Sequence, residues 1–270
     1  MLGFVESDLL RLCLSLIGSA SISFIAFKAK ALSISGALAA FVMGASFVFF
    51  GEPIWFALLL TFFVSSSFWS KFKKYSKQKQ QAEQRYEKSG RRDCWQVLAN
   101  GGLGMLLCVT SYFVTADWLL PLFIMIMAIV TADTWATEIG SLSRSKPRHI
   151  LTGREVDAGT SGGITVLGTA AAIAGAAVIG AVAASLTGKW SYLVIAFCAG
   201  IIGCMLDSLL GATLQRMFHC SSCNRIVEKS VHCGKVAKHI SGKIWINNDV
   251  VNISASLIGS VLVLVFYVMF

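Results

Sequence analysis

The chain has 270 residues, of which 56% are hydrophobic and 14% charged, and it carries a net charge of +9; its mean hydropathy is +0.71. A soluble globular domain carries roughly 25% charged residues, and the apolar residues here lie in long blocks rather than in the stripes of a soluble amphipathic helix. An ordinary water-soluble domain is therefore excluded, and the positive charge, confined to a few connections, reads as a topology signal rather than a nucleic-acid surface.

Eight blocks approach the roughly 20 apolar residues that a helix needs to cross a bilayer core of about 30 Å. The first, Leu9 to Phe27, follows Glu6 and Asp8, an acidic flank unlike that of a signal peptide. Lys28 and Lys30 separate it from Ala31 to Phe50, and Gly51-Glu52-Pro53 leads to a short third block, Ile54 to Trp69. The longest polar stretch follows, a basic connection over 71–95. Within it Lys71 to Arg92 lacks apolar periodicity and is expected to be a solvated helix or flexible loop near anionic lipid. Val97 to Thr115 and Leu119 to Ile139 are the fourth and fifth spans, joined through Ala116-Asp117. A basic, glycine-rich connection over 140–161 leads to Gly162 to Leu186, and Thr187-Gly188-Lys189 to Tyr192 to Leu214. A Cys/His-bearing connection over 215–247 precedes the last span, Val250 to Met269. Backbone facing hydrocarbon must satisfy its own hydrogen bonds, so the expectation is one all-α, polytopic transmembrane bundle spanning 1–270.

The connections after spans one, three, five and seven hold 2, 9, 4 and 6 of the 23 lysines and arginines, leaving Arg11 and Lys189. The positive-inside rule places these four connections in the cytoplasm and both termini outside. No transit segment is evident, so a bacterial or archaeal inner membrane is the simplest setting. A duplication is also expected. Ser35-Gly36 with Gly44 parallels Ser161-Gly162-Gly163 with Gly168, and Gln96 to Asn100 parallels Asp249 to Asn252, which makes spans one to four a parallel copy of spans five to eight.

Asp133, Glu138 and Asp207 lie inside spans, all near the basic connections. Each costs about 2.5–3.5 kcal/mol at a helix centre, so such acids mark either a functional site or a polar contact between helices. Asp133 and Thr137 share a helix face that Gly140 continues. In the following connection Arg144, Lys146, Arg148 and Arg154 accompany hydroxyls and the run Gly159-Thr160-Ser161-Gly162-Gly163 at a helix entrance. Cations, permissive glycines and a helix N-terminus suit a phosphate, although a basic loop also serves topology alone. Asp157 and Glu155 are placed to join the intramembrane acids around Mg²⁺, a hard ion. Asn100 and Asn252, near the inner ends of spans four and eight, suit a base, a sugar hydroxyl or a phosphate oxygen, or simply cap helices. Cys220-x-x-Cys223 with His232-Cys233 has partial zinc-ligand character, the alternative being reduced thiols. Adjacent residues rarely bind one metal, and a second well-spaced pair is missing. There is no Walker phosphate loop, no Gly-x-Ser-x-Gly and no His-Glu-x-x-His.

The segment from Ala132-Asp133-Thr134-Trp135 through Thr137-Glu138-Ile139-Gly140, that from Thr152-Gly153 to Gly163, Gln96-Val97-Leu98-Ala99-Asn100-Gly101-Gly102 and Asn248-Asp249-x-x-Asn252 together resemble a family of integral membrane proteins that includes the plastid phytyl-phosphate kinase of tocopherol synthesis. The resemblance runs from Ser35-Gly36 to Asn252, and the cysteine loop is similar to one that many prokaryotic members carry. It implies a kinase that converts an isoprenoid alcohol monophosphate to its diphosphate with a nucleoside triphosphate, CTP or ATP, and Mg²⁺. On that footing Asp133, Glu138, Asp157 and Asp207 would bind Mg²⁺ or orient the nucleophile. Arg144, Lys146, Arg148 and Arg154 would neutralise phosphates, with Thr160, Ser161 and Gly162 on their oxygens. A transporter of an anionic or lipid-linked substrate is the competing expectation, weakened by short outer connections and polar groups gathered at one end. A zinc-dependent scaffold using the cysteine loop is a third.

Overall fold

The computed structural model describes residues 2–88 and 90–269; Met1, Ser89, Phe270 and the side chains of residues 2–7 lie outside the described residues. Three helices come first: α1 (Leu2–Lys28), α2 (Ile34–Phe50) and α3 (Pro53–Lys71). After a short polar helix, α4 (Lys77–Glu83), come α5 (Cys94–Phe113) and α6 (Leu119–Gly140). A ribbon of β1 (Arg148–His149) and β2 (Gly163–Ile164) precedes α7 (Val166–Thr187) and α8 (Ser191–Thr213). The next connection holds β3 (Met217–Cys220), β4 (Arg225–Val227), β5 (Val231–His232), β6 (Lys235–Val236) and β7 (Lys238–Ser241), before α9 (Asn248–Met269).

Seven of these helices are long and apolar enough to cross a membrane, and α2, equally apolar, has 17 residues. At 1.5 Å per residue α2 covers about 25 Å, the lower end of what a bilayer core requires. The molecule is therefore a polytopic helical bundle, and strands occur only in its connections. Local chemistry sets the helix ends. Ser33 accepts from Gly36 N–H at 3.1 Å, Pro53 opens α3, Asp93 and Gln96 form a capping box on α5, and Thr165 accepts from Gly168 N–H at 2.9 Å. A side-chain oxygen satisfies N–H groups that have no partner inside the helix. The last cap shifts a boundary: the sixth expected span, α7, begins at Val166 rather than Gly162, which lies in the turn before β2, while Gly163 and Ile164 form that strand and Thr165 caps the helix.

Helix α6 runs through the centre. Every residue from Pro121 to Ala132 is buried, as expected of a helix that is apolar all round, and α3, α5, α7, α8 and α9 pack around it. Small residues allow the close approaches that drive association in lipid. A Cβ on Gly175 would meet Thr131 O at 3.1 Å, and one on Gly259 would meet the Gly203 Cα at 3.0 Å. Helix α1, by contrast, lies at the edge with Leu9, Leu14 and Ile17 exposed to lipid. In the expected duplication α1 is the counterpart of α6. Gly44 against Ser19 does parallel Gly168 against Gly140, but one helix is peripheral and the other central.

The four basic connections meet at one end. Arg92 exchanges backbone hydrogen bonds with Ala31 and Ser33, each 3.0 Å. Lys79 pairs with Glu138 at 2.6 Å, Arg85 with Asp157 at 2.6 Å, and Arg216 with Glu87 at 2.5 Å. At the opposite end Arg11 donates to Gly51 O at 2.5 Å.

The stretch Lys71 to Arg92 departs in part from the sequence expectation. Lys71 to Tyr75 and most of α4 are solvated as expected, but one face of α4 folds inward, where Lys79 is 1% exposed and Ala82 is fully buried. Lys79 Nζ also donates to Trp69 O at 2.8 Å, so the ammonium is desolvated but paired. Such pairing is invisible to periodicity because a seven-residue helix makes two turns and inserts only two side chains. Removing one partner of a buried pair costs about 3–5 kcal/mol. Lys79→Met is expected to lower the unfolding free energy, read from the denaturant midpoint in detergent, by an amount of that order, with the double variant Lys79→Met/Glu138→Leu recovering most of it. A midpoint unchanged in the single variant would count against the pair.

Candidate functional site

At the basic end the bundle opens into a chamber of about 330 Å³. Its walls alternate in character because neighbouring helices run in opposite directions. The C-terminal turns of α6 and α8 bring Asp133, Thr137, Glu138, Asp207 and Ser208, and their carbonyl ends add partial negative charge. The N-terminal turns of α5, α7 and α9 bring Gln96, Asn100, Thr165, Asn248, Asp249 and Asn252, and their free N–H ends carry partial positive charge. The connections close the top with Lys79, Tyr86, Lys88, Arg92 and Glu228.

The acids differ in partners. Glu138 is committed, accepting from Ser70 Oγ at 2.5 Å and from Lys79. Asp207 accepts from the Asn252 amide at 2.9 Å once that amide is turned so that its nitrogen also faces Asn248 O. Asp133 makes no hydrogen bond or ion pair among the described residues, although it lies on the chamber wall beside Thr134 and Thr137. A carboxylate in this position is available for a ligand. Asp133 and Asp207 offer the hard oxygens that Mg²⁺ prefers, whereas Glu138 is already held by Ser70 and Lys79.

The cations of the chamber are not the expected ones. Arg144, Lys146, Arg148 and Arg154 are exposed and absent from its lining. Asp157, its side chain 68% exposed, pairs with Arg85 outside the chamber. Thr160, Ser161 and Gly162 do line it; Ser161 Oγ donates to Gln215 Oε1 at 3.1 Å. Gly162, at φ +75°, packs its bare Cα onto α8 near Ala212. Asn100 and Asn252, one from each half of the chain, both face the cavity.

Sequence reasoning missed Lys88, Arg92, Tyr86 and Glu228. Lys88 Nζ bridges Asp93 at 3.0 Å and Asp249 at 2.5 Å, joining the N-termini of α5 and α9. Burial would lower its pKa, but the hydrogen bonds it donates to these two carboxylates outweigh that and hold it above the usual lysine value. Burial keeps the Tyr86 hydroxyl protonated far above the ordinary tyrosine range, an effect that Glu228 reinforces. Glu228, 4% exposed, accepts from Glu87 N–H at 3.0 Å, and burial pushes its carboxyl up to about 7. The one available signal was the Asp93-x-x-Gln96 capping box, which fixes where α5 begins and so turns Lys88 and Arg92 back over the bundle.

A second, apolar slot of about 70 Å³ lies between α1, α2, α3 and α5, walled by Ile22, Met43, Leu59 and Phe63. It shares Arg92, Gln96 and Asn100 with the chamber. Arg92 stands over the Phe62 ring at 5.7 Å, at the junction of the two spaces.

Away from both, Cys220, Cys223, His232 and Cys233 bring their ligand atoms within 4.8 Å of one another.

Residues 17–260 match the family model described as integral membrane protein DUF92, and the chain belongs to that family. Protein PGR of Arabidopsis thaliana is 33% identical over 279 residues, 93% of this chain and 94% of that protein. An uncharacterised membrane protein of Methanocaldococcus jannaschii is 31% identical over 211 residues, 77% of this chain and 85% of its own length. No solved structure matches significantly. The chain is thus a multi-pass integral membrane protein.

Glu228 sets a pH dependence whose sign follows from linkage. Its folded value near 7 exceeds the ordinary 4.5, so the native state keeps a proton that the unfolded chain releases between those values. Stability is complete below about pH 4.5 and falls as pH rises toward 7, by about 3 kcal/mol at most. Glu228→Gln removes that loss. The melting temperature of the variant is expected to rise relative to the parent between pH 5 and pH 8, and parallel pH curves for the two proteins would contradict the burial of this carboxyl.

Proposed function

We propose that this protein is a membrane-embedded phosphotransferase that converts an isoprenoid alcohol monophosphate to its diphosphate, using a nucleoside triphosphate and Mg²⁺. The observation that carries the reading is Asp133, an intramembrane carboxylate with no protein partner among the described residues, facing a polar chamber beside Asp207. An acid at this depth is costly unless a ligand compensates it, and topology alone does not call for it. The isoprenoid class is what the resemblance carried by the motifs around Asp133, Asn100 and Asn252 implies. It is supported by the junction of the two cavities, where an amphiphile would place its phosphate in the chamber and the first units of its chain in the apolar slot.

In this reading a phosphate oxygen of the lipid attacks the γ-phosphorus of the nucleotide. One P–O bond forms, the bond to the β-phosphate bridging oxygen breaks, and the nucleoside diphosphate leaves with the electron pair. Catalysis of such a transfer is positioning plus charge stabilisation. Lys88 and Arg92 lie on the phosphate side, where the N-termini of α5, α7 and α9 add positive partial charge. Asn252 holds Asp207 in orientation, while the Lys79 pair fixes Glu138. Mg²⁺, when held by Asp133 and Asp207, would neutralise developing charge on the transferred group.

The test is direct. Detergent-purified protein supplied with a prenyl monophosphate, Mg²⁺ and either CTP or ATP is expected to yield the diphosphate by mass spectrometry. Asp133→Asn is expected to lower kcat by at least about 10²-fold, with folding checked by an unchanged melting profile. Undiminished turnover in that variant would remove Asp133 from the site. Flux of the lipid phosphate through proteoliposomes without nucleotide consumption would instead identify a transporter.

A further inference from the structure

The connection over 214–247 has too little apolar material to hold its own fold. Its three-stranded sheet, ordered β4-β3-β7, encloses a core of Phe218, Val227 and Ala237. A segment of this size, with a core cluster of three apolar side chains, requires a staple of some kind. It nevertheless docks with definite geometry on the connection that roofs the chamber. Glu228 N–H donates to Arg85 O at 2.9 Å, Arg225 donates to Gln84 Oε1 at 2.9 Å, and Glu87 N–H donates to the Glu228 carboxylate at 3.0 Å.

We infer that Cys220, Cys223, His232 and Cys233 form a structural zinc site that fastens this sheet as the roof of the chamber. Four N and S donors meet the composition of a closed structural site, and their atoms lie within 4.8 Å of one another. The imidazole Nδ1 of His232 is 3.4 Å from Cys223 Sγ and 3.2 Å from Cys233 Sγ. Tetrahedral zinc, with bonds of about 2.3 Å to sulfur and 2.0–2.1 Å to nitrogen, spaces its ligand atoms roughly 3.5–3.8 Å apart. The cluster is therefore close to the geometry that a metal would impose.

The objection from sequence was that neighbouring residues seldom share a metal, since successive side chains of a strand point to opposite faces. The turn resolves it. β5 and β6 pair Val231 with Val236 and His232 with Lys235, which leaves Cys233 and Gly234 as a two-residue loop. Both have positive φ, +52° and +72°, as in the type I′ hairpin. The left-handed backbone at Cys233 turns its thiol back to the side of His232. A non-glycine residue there costs of order 1 kcal/mol, and a metal–thiolate bond offsets it. Cys220 ends β3 and Cys223 lies in the turn that follows it, where Asn224 also has positive φ, +55°. Two tight turns thus present two donors each.

The site is read without reference to catalysis. Full-length protein purified in detergent is expected to contain one zinc per chain by elemental mass spectrometry. Cys223→Ser is expected to lose it, while His219→Ala, outside the cluster, keeps it. Cobalt exchanged into the parent protein should show the thiolate charge-transfer and d–d bands of a tetrahedral ion. Should Cys223→Ser fail to accumulate, chelation of the folded parent gives the same readout. Removing zinc is expected to speed amide exchange at Glu87 and Glu228, where roof and sheet are hydrogen-bonded. Parent protein with no bound metal, or with a disulfide between these cysteines, would overturn the site; exchange unaltered on zinc removal would overturn its role as a fastening.

Discussion

The structure is organised around the problem of keeping carboxylates in hydrocarbon. A bilayer offers no water to Asp133, Glu138 or Asp207, so protein groups or a ligand must solvate them. Helix α6 carries two of these acids in its last two turns, and the stretch that precedes them, Pro121 to Ala132, is buried throughout. Its central position removes the acids from lipid, and its carbonyl end deepens the negative potential they create. The surrounding helices then have to supply either small residues, to approach it closely, or polar ends, to complete the chamber.

That requirement explains why the basic connections are not merely topogenic. They fold into a roof in which four cations are each held by specific acids: Lys79 by Glu138, Arg85 by Asp157, Lys88 by Asp93 and Asp249, Arg216 by Glu87. Exposed pairs of this kind add little stability. Here they join connections that are distant in sequence, and the Lys79 pair is desolvated as well. The roof and the chamber depend on each other, because Tyr86, Lys88 and Glu228 belong to both.

Antiparallel packing gives the chamber its chemistry. Helices that arrive at the basic end contribute carbonyl ends and acids, and helices that leave it contribute N–H ends and amides. A site for a metal–phosphate pair needs both signs within a few ångströms. The apolar slot meets the chamber at Arg92, Gln96 and Asn100, where a lipid head and tail would separate.

Membrane insertion, the helical spans and the clustering of charge at one end followed from the sequence alone, because hydrophobic length and lysine–arginine asymmetry are additive properties that need no tertiary information. So did Asp133, Asp207, Asn100 and Asn252, since a polar residue inside an apolar run is conspicuous wherever it folds. Which cations face the chamber did not follow. Arg144 to Arg154 and Lys79 to Arg92 are both basic runs, and only packing brings Lys79, Lys88 and Arg92 to the chamber while leaving the cations of the first run exposed. The same holds for Glu228, ordinary in its strand connection and buried only by docking, and for Cys233, whose approach to His232 rests on one left-handed residue. Segregation between lipid and water is written in composition; the meeting of residues a hundred positions apart is decided by how helices and loops close-pack.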